Sequence, residues 1–253
     1  MKTERSPEVD AFLAARQDVE ARAVSACAGW TAHEVTAHLV GVVVEVTAHL
    51  QPYLAGESVP ETRSFEVREA PWRAMADDEL CRSVGMEEEK MRAVLDQVLE
   101  RDPRAVIRWT GRQMEVAKFR PHVRSEFAIH RWDIVGDDET SLELLGQPDL
   151  TEHAVGVLGE ILTRRGRAHD PAPDRDFHVR LCSGSHADVR LTVEGGEARL
   201  ELAEPGGEEP GVDLDPAARL LAIWGRRPDR RGRVRSGLEP DGLGRLQTLL
   251  SGY

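Results

Sequence analysis

Apolar residues in this chain repeat at helical spacing for about two thirds of its length and then alternate, which confines it to a helical part followed by a strand-rich part. Ser6 and Pro7 open a first helix with Phe12, Leu13 and Val19 on one side. Thr31 and Glu34 form an S/T-x-x-E capping box for a second helix running to about Leu54, striped by Val35, Leu39, Val42, Val46 and Leu50. Further helices are predicted from Asp77 to about Glu100, from Pro121, and from about Leu150 to Arg165. A proline-rich charged stretch over residues 167–175 reads as a linker. Beyond it, FHVRLCSG, ADVRLTVEGG and EARLELAEPGG alternate and end in glycine, as antiparallel strands do. Helices from about Asp215 to Trp224 and Asp241 to Leu250 follow. The expected fold is mainly α, a four-helix bundle over residues 1–168 and then a small α+β domain over 173–253.

Composition narrows the function. Forty-five acidic against 33 basic side chains give a net charge of -12, and no basic run is interleaved with aromatics, so a nucleic-acid partner is not expected. No stretch reaches the roughly 18 apolar residues of a membrane span. Three scattered cysteines, Cys27, Cys81 and Cys182, fit neither a disulfide framework nor a cysteine metal site, and the start of the chain lacks an apolar signal core. These features place the protein in the cytoplasm.

The segment PHVRSEFAIHRWDIVG, residues 121–136, carries the chemistry. At helical spacing Glu126 and His130 share the apolar face of Val123, Phe127 and Ile134, while Arg124, Ser125 and Arg131 are expected to point away. A lone buried carboxylate costs several kcal/mol, so Glu126 needs a cation, and His130 one turn on can share it. His38 is another donor on an apolar stripe, between Val35 and Leu39. Two imidazoles and a carboxylate would hold zinc or a similar ion and leave coordination positions open. Asp133 would orient an imidazole. Glu45 and His49 compete, but His49 stands about 16 Å along the helix from His38, and His33 is rotated about 140° from it, toward water or the helix at Asp77. As a bland reading, Glu126 and His130 are a hydrogen-bonded core couple.

Together with the C-terminal run AARLLAIWGRRP, the runs CAGWTAHEVTAHLVG and PHVRSEFAIHRWDIVG resemble the mycothiol-dependent maleylpyruvate isomerase family of DinB-like metal enzymes. The resemblance implies a DinB-like bundle binding a divalent metal, zinc by preference, through His38, Glu126 and His130, followed by a sterol-carrier-like domain. It implies mycothiol as thiol cosubstrate and a small electrophilic substrate. Coordination turns a thiol of pKa near 8.5 into a thiolate, which can add to a double bond or stay attached to an electrophile. The family's G-R pair corresponds to Gly225 and Arg226, making Arg226 an anion-binding residue expected to reach the cleft between domains.

Other features have ordinary readings. Trp30 would wall the thiol pocket or, like Trp132, serve as core. Cys27 lacks an activating histidine and reads as incidental, the arginines of residues 226–235 as a solvated loop, and Glu87 to Glu89 as an exposed helix face. A mycothiol S-transferase, a thiol-independent metal hydrolase, and a small-ligand or protein-binding module with a structural metal are the alternatives. Nothing in the sequence bears on oligomeric state.

Overall fold

The computed structural model describes residues 4–184, 187–207, 209–228 and 233–251, with the backbone alone at 157–158 and 160–164. Residues 229–232, part of the arginine-rich stretch, lie outside the described residues. The chain divides into two units, residues 1–136 and 137–253.

In the first unit, helices α1 (Pro7–Asp18), α2 (Ala32–Ala55), α4 (Asp77–Arg101) and α5 (Phe119–Val135) pair as a bundle, and the short α3 (Phe65–Arg73) lies against α2. Helix α2 is apolar on most sides: Val35, Ala37, Leu39, Val40, Val43, Val46 and Leu50 are all fully buried. At its start the Thr31 side chain accepts from the Glu34 amide, and Glu34 reaches back to the Thr31 amide at 2.8 Å. At its end Gly56 takes the left-handed conformation, φ 75°, and donates to Pro52 and Tyr53. Helix α4 buries one stripe, Leu80, Val84, Met91, Leu95 and Val98. A hairpin joins α4 to α5: β1 (Val106–Trp109) pairs antiparallel with β2 (Arg112–Glu115). Thr110 and Gly111, with φ 49° and 82°, make the primed turn such a two-residue loop needs.

Helix α5 is buried over most of its surface between His122 and Asp133. Phe127 meets Phe12 of α1 edge-on with ring centres 5.6 Å apart, and Arg124 pairs with the buried Glu8 of α1 at 2.9 Å. Ser125 and Arg131, expected outside, are buried as well. The expectation failed because α5 packs on α1 as well as α2.

The second unit begins with α6 (Glu139–Leu145) and α7 (Pro148–Arg167) and continues with strands β3 (Phe177–Cys182), β4 (Asp188–Glu194), β5 (Glu197–Ala203) and β6 (Gly211–Leu214). Helix α8 (Pro216–Ile223), strand β7 (Val234–Ser236) and helix α9 (Pro240–Leu250) complete it. The sheet order is β5-β4-β3-β6-β7, antiparallel except for the β3–β6 pair. Asp215 caps α8 by accepting from the Ala218 amide at 2.9 Å. The boundary falls thirty residues earlier than the proline-rich stretch suggests, because α7 packs on β5, α8 and α9. That stretch is itself fastened: buried Asp170 accepts from Arg245 of α9 at 2.9 Å and from Arg167 at 2.7 Å. The architecture is a helical bundle followed by a small α+β unit, and no helix among the described residues is long and apolar enough to cross a membrane.

Gly166 is where α7 meets α9: a Cβ there would overlap the Leu249 carbonyl. Gly166→Ala is expected to destabilise the protein by about 1–3 kcal/mol through overpacking, read as a lower urea midpoint with an unchanged slope.

Candidate metal centre

Three buried side chains from two helices converge within the first unit. His38 of α2 and Glu126 and His130 of α5 place one donor atom each within 4.8 Å of one another. Nε2 of His38 and Nε2 of His130 both stand 3.5 Å from Oε2 of Glu126. Two donors on a tetrahedral ion, each about 2.0–2.1 Å from it, lie about 3.4 Å apart, so the three atoms suit a common cation.

The outer nitrogens fix which way each imidazole faces. Nδ1 of His38 contacts Oε1 of Glu69 at 2.6 Å, and Nδ1 of His130 contacts Oδ2 of Asp133 at 2.8 Å. An ionised carboxylate can only accept, so each Nδ1 carries a proton, and in the neutral ring each Nε2 turns a lone pair inward. Nε2 of His38 is sealed from solvent and has no hydrogen-bond partner. A buried nitrogen left this way costs free energy, and a cation between it and Glu126 would satisfy it. The residues present therefore fit a divalent metal.

The surroundings reinforce this charge pattern. Burial opposes ionisation of Glu126, but the surrounding imidazoles of His130, His38 and His122 hold its carboxyl well below the usual range. Burial also opposes protonation of His130, yet Asp133 and Glu126 outweigh it and raise its value above the ordinary 6.5. Glu69, likewise buried, stays ionised because His38 and Arg73 bind it, Arg73 at 2.9 Å. Arg73 extends the chain of charges to Glu34 of the capping box, also at 2.9 Å. Trp30 stacks on His130 with ring centres 6.3 Å apart and an interplanar angle of 20°, and its ring lies 5.1 Å from that of His38. Trp30 thus walls the centre, whereas Trp132 is buried in the body of the unit.

The other candidates go elsewhere. Glu45 accepts from the Arg63 amide and side chain at 2.7 Å, and His49 bonds the Glu45 carbonyl at 2.8 Å while its ring meets Trp109. His33 bridges Asp77, at the start of α4, and the Arg73 carbonyl. Arg226 belongs to the second unit, where it donates to the Trp224 carbonyl at 3.0 Å and lines an apolar cavity with Leu246 and Leu250. Cys27 is half-buried in the turn before the capping box.

Sequence reasoning missed His122, Glu69 and Arg68. His122 sits one turn before Glu126, its Nε2 3.7 Å from Oε1 of that carboxylate, and it continues the four-residue spacing through His130. Burial, together with the charges of Arg112 and Arg68, lowers its proton affinity against the pull of Glu126. Glu69 and Arg68 come from α3, for which the sequence shows no apolar stripe.

Residues 4–135, over half the chain, match the family model described as the mycothiol maleylpyruvate isomerase N-terminal domain. The chain belongs to the mycothiol-dependent maleylpyruvate isomerase family. Two solved structures share its fold: the mycothiol-dependent maleylpyruvate isomerase, at 17% identity and TM-score 0.63, and a mutant of it at 16% and 0.61. Each alignment covers 92% of this chain and 91% of the other. No curated protein sequence matches the chain.

Asp133→Asn and Glu69→Gln should each weaken metal affinity about 10–100-fold, measured by competition with a chromogenic chelator. Protonation of His130 competes with metal, so affinity should fall at least about tenfold from pH 7.5 to pH 5.5. In the metal-free protein the sign reverses: the stability contributed by protonated His130 is complete below its unfolded value near 6.5 and is lost as pH rises through the raised folded value. Equilibrium unfolding of metal-stripped protein across that range checks it.

Proposed function

We propose that this protein is a metal-dependent enzyme that activates mycothiol for isomerisation, or for thiol transfer, on a small electrophilic substrate. The observation that carries the proposal is the inward convergence of Nε2 of His38, Nε2 of His130 and the Glu126 carboxylate, with the first of these lacking any other partner. Three protein donors leave coordination positions for an exogenous ligand, the pattern of catalytic and not structural sites. A divalent ion in this place, zinc by the character of its ligands, keeps a thiol deprotonated at neutral pH.

The chain's own residues supply the rest. Glu69 and Asp133 hold the imidazoles in the tautomer that turns Nε2 inward. Trp30 gives the thiol an apolar wall and, with the buried bundle core, limits access of water. His122 is kept neutral by burial and offers a nearby acceptor for a proton released in the site. Addition of a thiolate to a conjugated double bond allows rotation about the resulting single bond, and its departure completes an isomerisation. The same first step without departure is a transfer. Membership of the isomerase family favours the former, in a cytoplasm that keeps such a thiol reduced.

The test combines metal and thiol. Purified protein should carry about one divalent ion per chain by elemental analysis, and Glu126→Ala should lose it. Mycothiol should raise the unfolding midpoint of the wild type, glutathione should not, and Glu126→Ala should show no rise. Full metal content and turnover in Glu126→Ala would remove the carboxylate from the centre, and stabilisation by neither thiol would defeat the enzyme reading.

A further inference from the structure

Arg73 ends α3, and its guanidinium meets three groups around the proposed metal centre. Nε and Nη2 donate to Oε2 of Glu69 at 3.2 and 2.9 Å, which leaves Oε1 of that carboxylate to Nδ1 of His38 at 2.6 Å. Nη1 donates to Oε1 of Glu34 at 2.9 Å, while Oε2 of Glu34 takes the amide and hydroxyl of Thr31, the residue after Trp30. The guanidinium carbon lies over the Trp30 ring, 5.0 Å from its centre, and that ring borders the imidazoles of His38 and His130. The backbone of Arg73 is pinned too, since its carbonyl bonds Nε2 of His33 at 3.2 Å. A guanidinium could neutralise Glu69 from many positions, but this one is bound by two carboxylates, so its plane is fixed. One cation thus reaches both the carboxylate that orients a proposed metal ligand and the indole that walls the site.

We infer that Arg73 is a positioning residue with two separable effects: its charge holds Glu69 on His38 and so supports metal affinity, and its planar guanidinium fixes the Trp30 indole as the wall against which the exogenous thiol seats. The inference rests on the proposed function for the reading of the site as a metal and thiol centre. Arg73 acts through Glu69 and Trp30 and takes no covalent step. The two effects draw on different properties of the side chain. Neutralising a buried carboxylate needs a positive charge within reach, which a lysine also supplies. Covering an indole while bonding two carboxylates needs several donors in one rigid plane, which a compact ammonium on a flexible stem lacks.

The experiment compares wild type, Arg73→Lys and Arg73→Met by chelator competition for metal and, in the metal-loaded proteins, by calorimetric titration with mycothiol. Arg73→Met should lose about tenfold in metal affinity, the low end of what a group behind a metal ligand contributes. It should also lose about fivefold in mycothiol affinity, the size of a cation–π contact at a partly exposed ring. Arg73→Lys should keep its metal affinity and lose mycothiol as the methionine variant does. That split is the signature, because a general loss of packing would lower both affinities together. In a Trp30→Leu background Arg73→Lys should cost no further mycothiol affinity. If Arg73→Met does not fold, the lysine variant with and without Trp30→Leu decides the matter. Wild-type mycothiol affinity in Arg73→Lys, metal loss as large in Arg73→Lys as in Arg73→Met, or an undiminished effect of Arg73→Lys on the Trp30→Leu protein would overturn the inference. Wild-type protein that binds no metal or no mycothiol would defeat the proposed function and the inference with it, and that failure shows before any variant is compared.

Discussion

A carboxylate sealed inside a helical bundle is the constraint to which the first unit is built. Glu126 is 2% exposed, and a negative charge so placed is tolerable only if cationic or hydrogen-bonding groups surround it. The structure answers with a continuous series. Imidazoles from α2 and α5 face Glu126; their outer nitrogens are held by Glu69 and Asp133; Glu69 is held by Arg73, and Arg73 by Glu34. Glu34 is also the capping-box residue that starts α2. The start of the helix, the tautomer of its histidine and the charge at the centre thus belong to one network, whose members stabilise one another more than isolated pairs would.

The network makes sense of bundle features that apolar packing alone would not require. Helix α3 is nine residues long, contains Pro71, and exposes Phe65 and Val67. On propensity it is a poor helix. Its two buried residues are Arg68 and Glu69, so what it brings to the interior is charge. The β1–β2 hairpin brings Trp109, whose ring lies 5.1 Å from those of Phe119 and His49 and 6.2 Å from that of His122. Apolar burial there keeps water from the far side of the same imidazole.

This division explains what could be read in the sequence. The α5 segment was legible because Glu126 and His130 interrupt an apolar face at one-turn spacing, and His38 because it does the same on α2. The capping box, α4, the alternating strands and both short terminal helices were equally plain, since each follows from a local period or cap. Helix α3 was not legible, because the rule that finds helices seeks apolar stripes and α3 buries a charged pair. The hairpin was hidden by four-residue strands and by a turn whose left-handed residue is Thr110, not the usual asparagine or glycine. The unit boundary was misplaced because residues 167–175 mark a change from helix to strand, and the amphipathic α7 before them belongs to the sheet it covers. Ser125 and Arg131 were misassigned for a related reason: a stripe shows which face of a helix is most buried, but not whether a second helix covers the opposite one.

The placement of Arg68 next to Glu69 ties the seating of α3 to the orientation of His38. Both residues sit against Gly41, one turn along α2 from His38, where a Cβ would lie 3.1 Å from Cγ of Glu69 and 3.7 Å from Cγ of Arg68. The absence of that methyl group lets α3 approach closely enough for Glu69 to reach the imidazole. Because adjacent residues on one short helix cannot move independently, a shift of α3 that displaces Arg68 also moves the carboxylate that orients His38. The seating of α3 and the geometry of the proposed metal centre are therefore coupled through a single turn of helix, at a position where an added methyl group on α2 would press on Glu69.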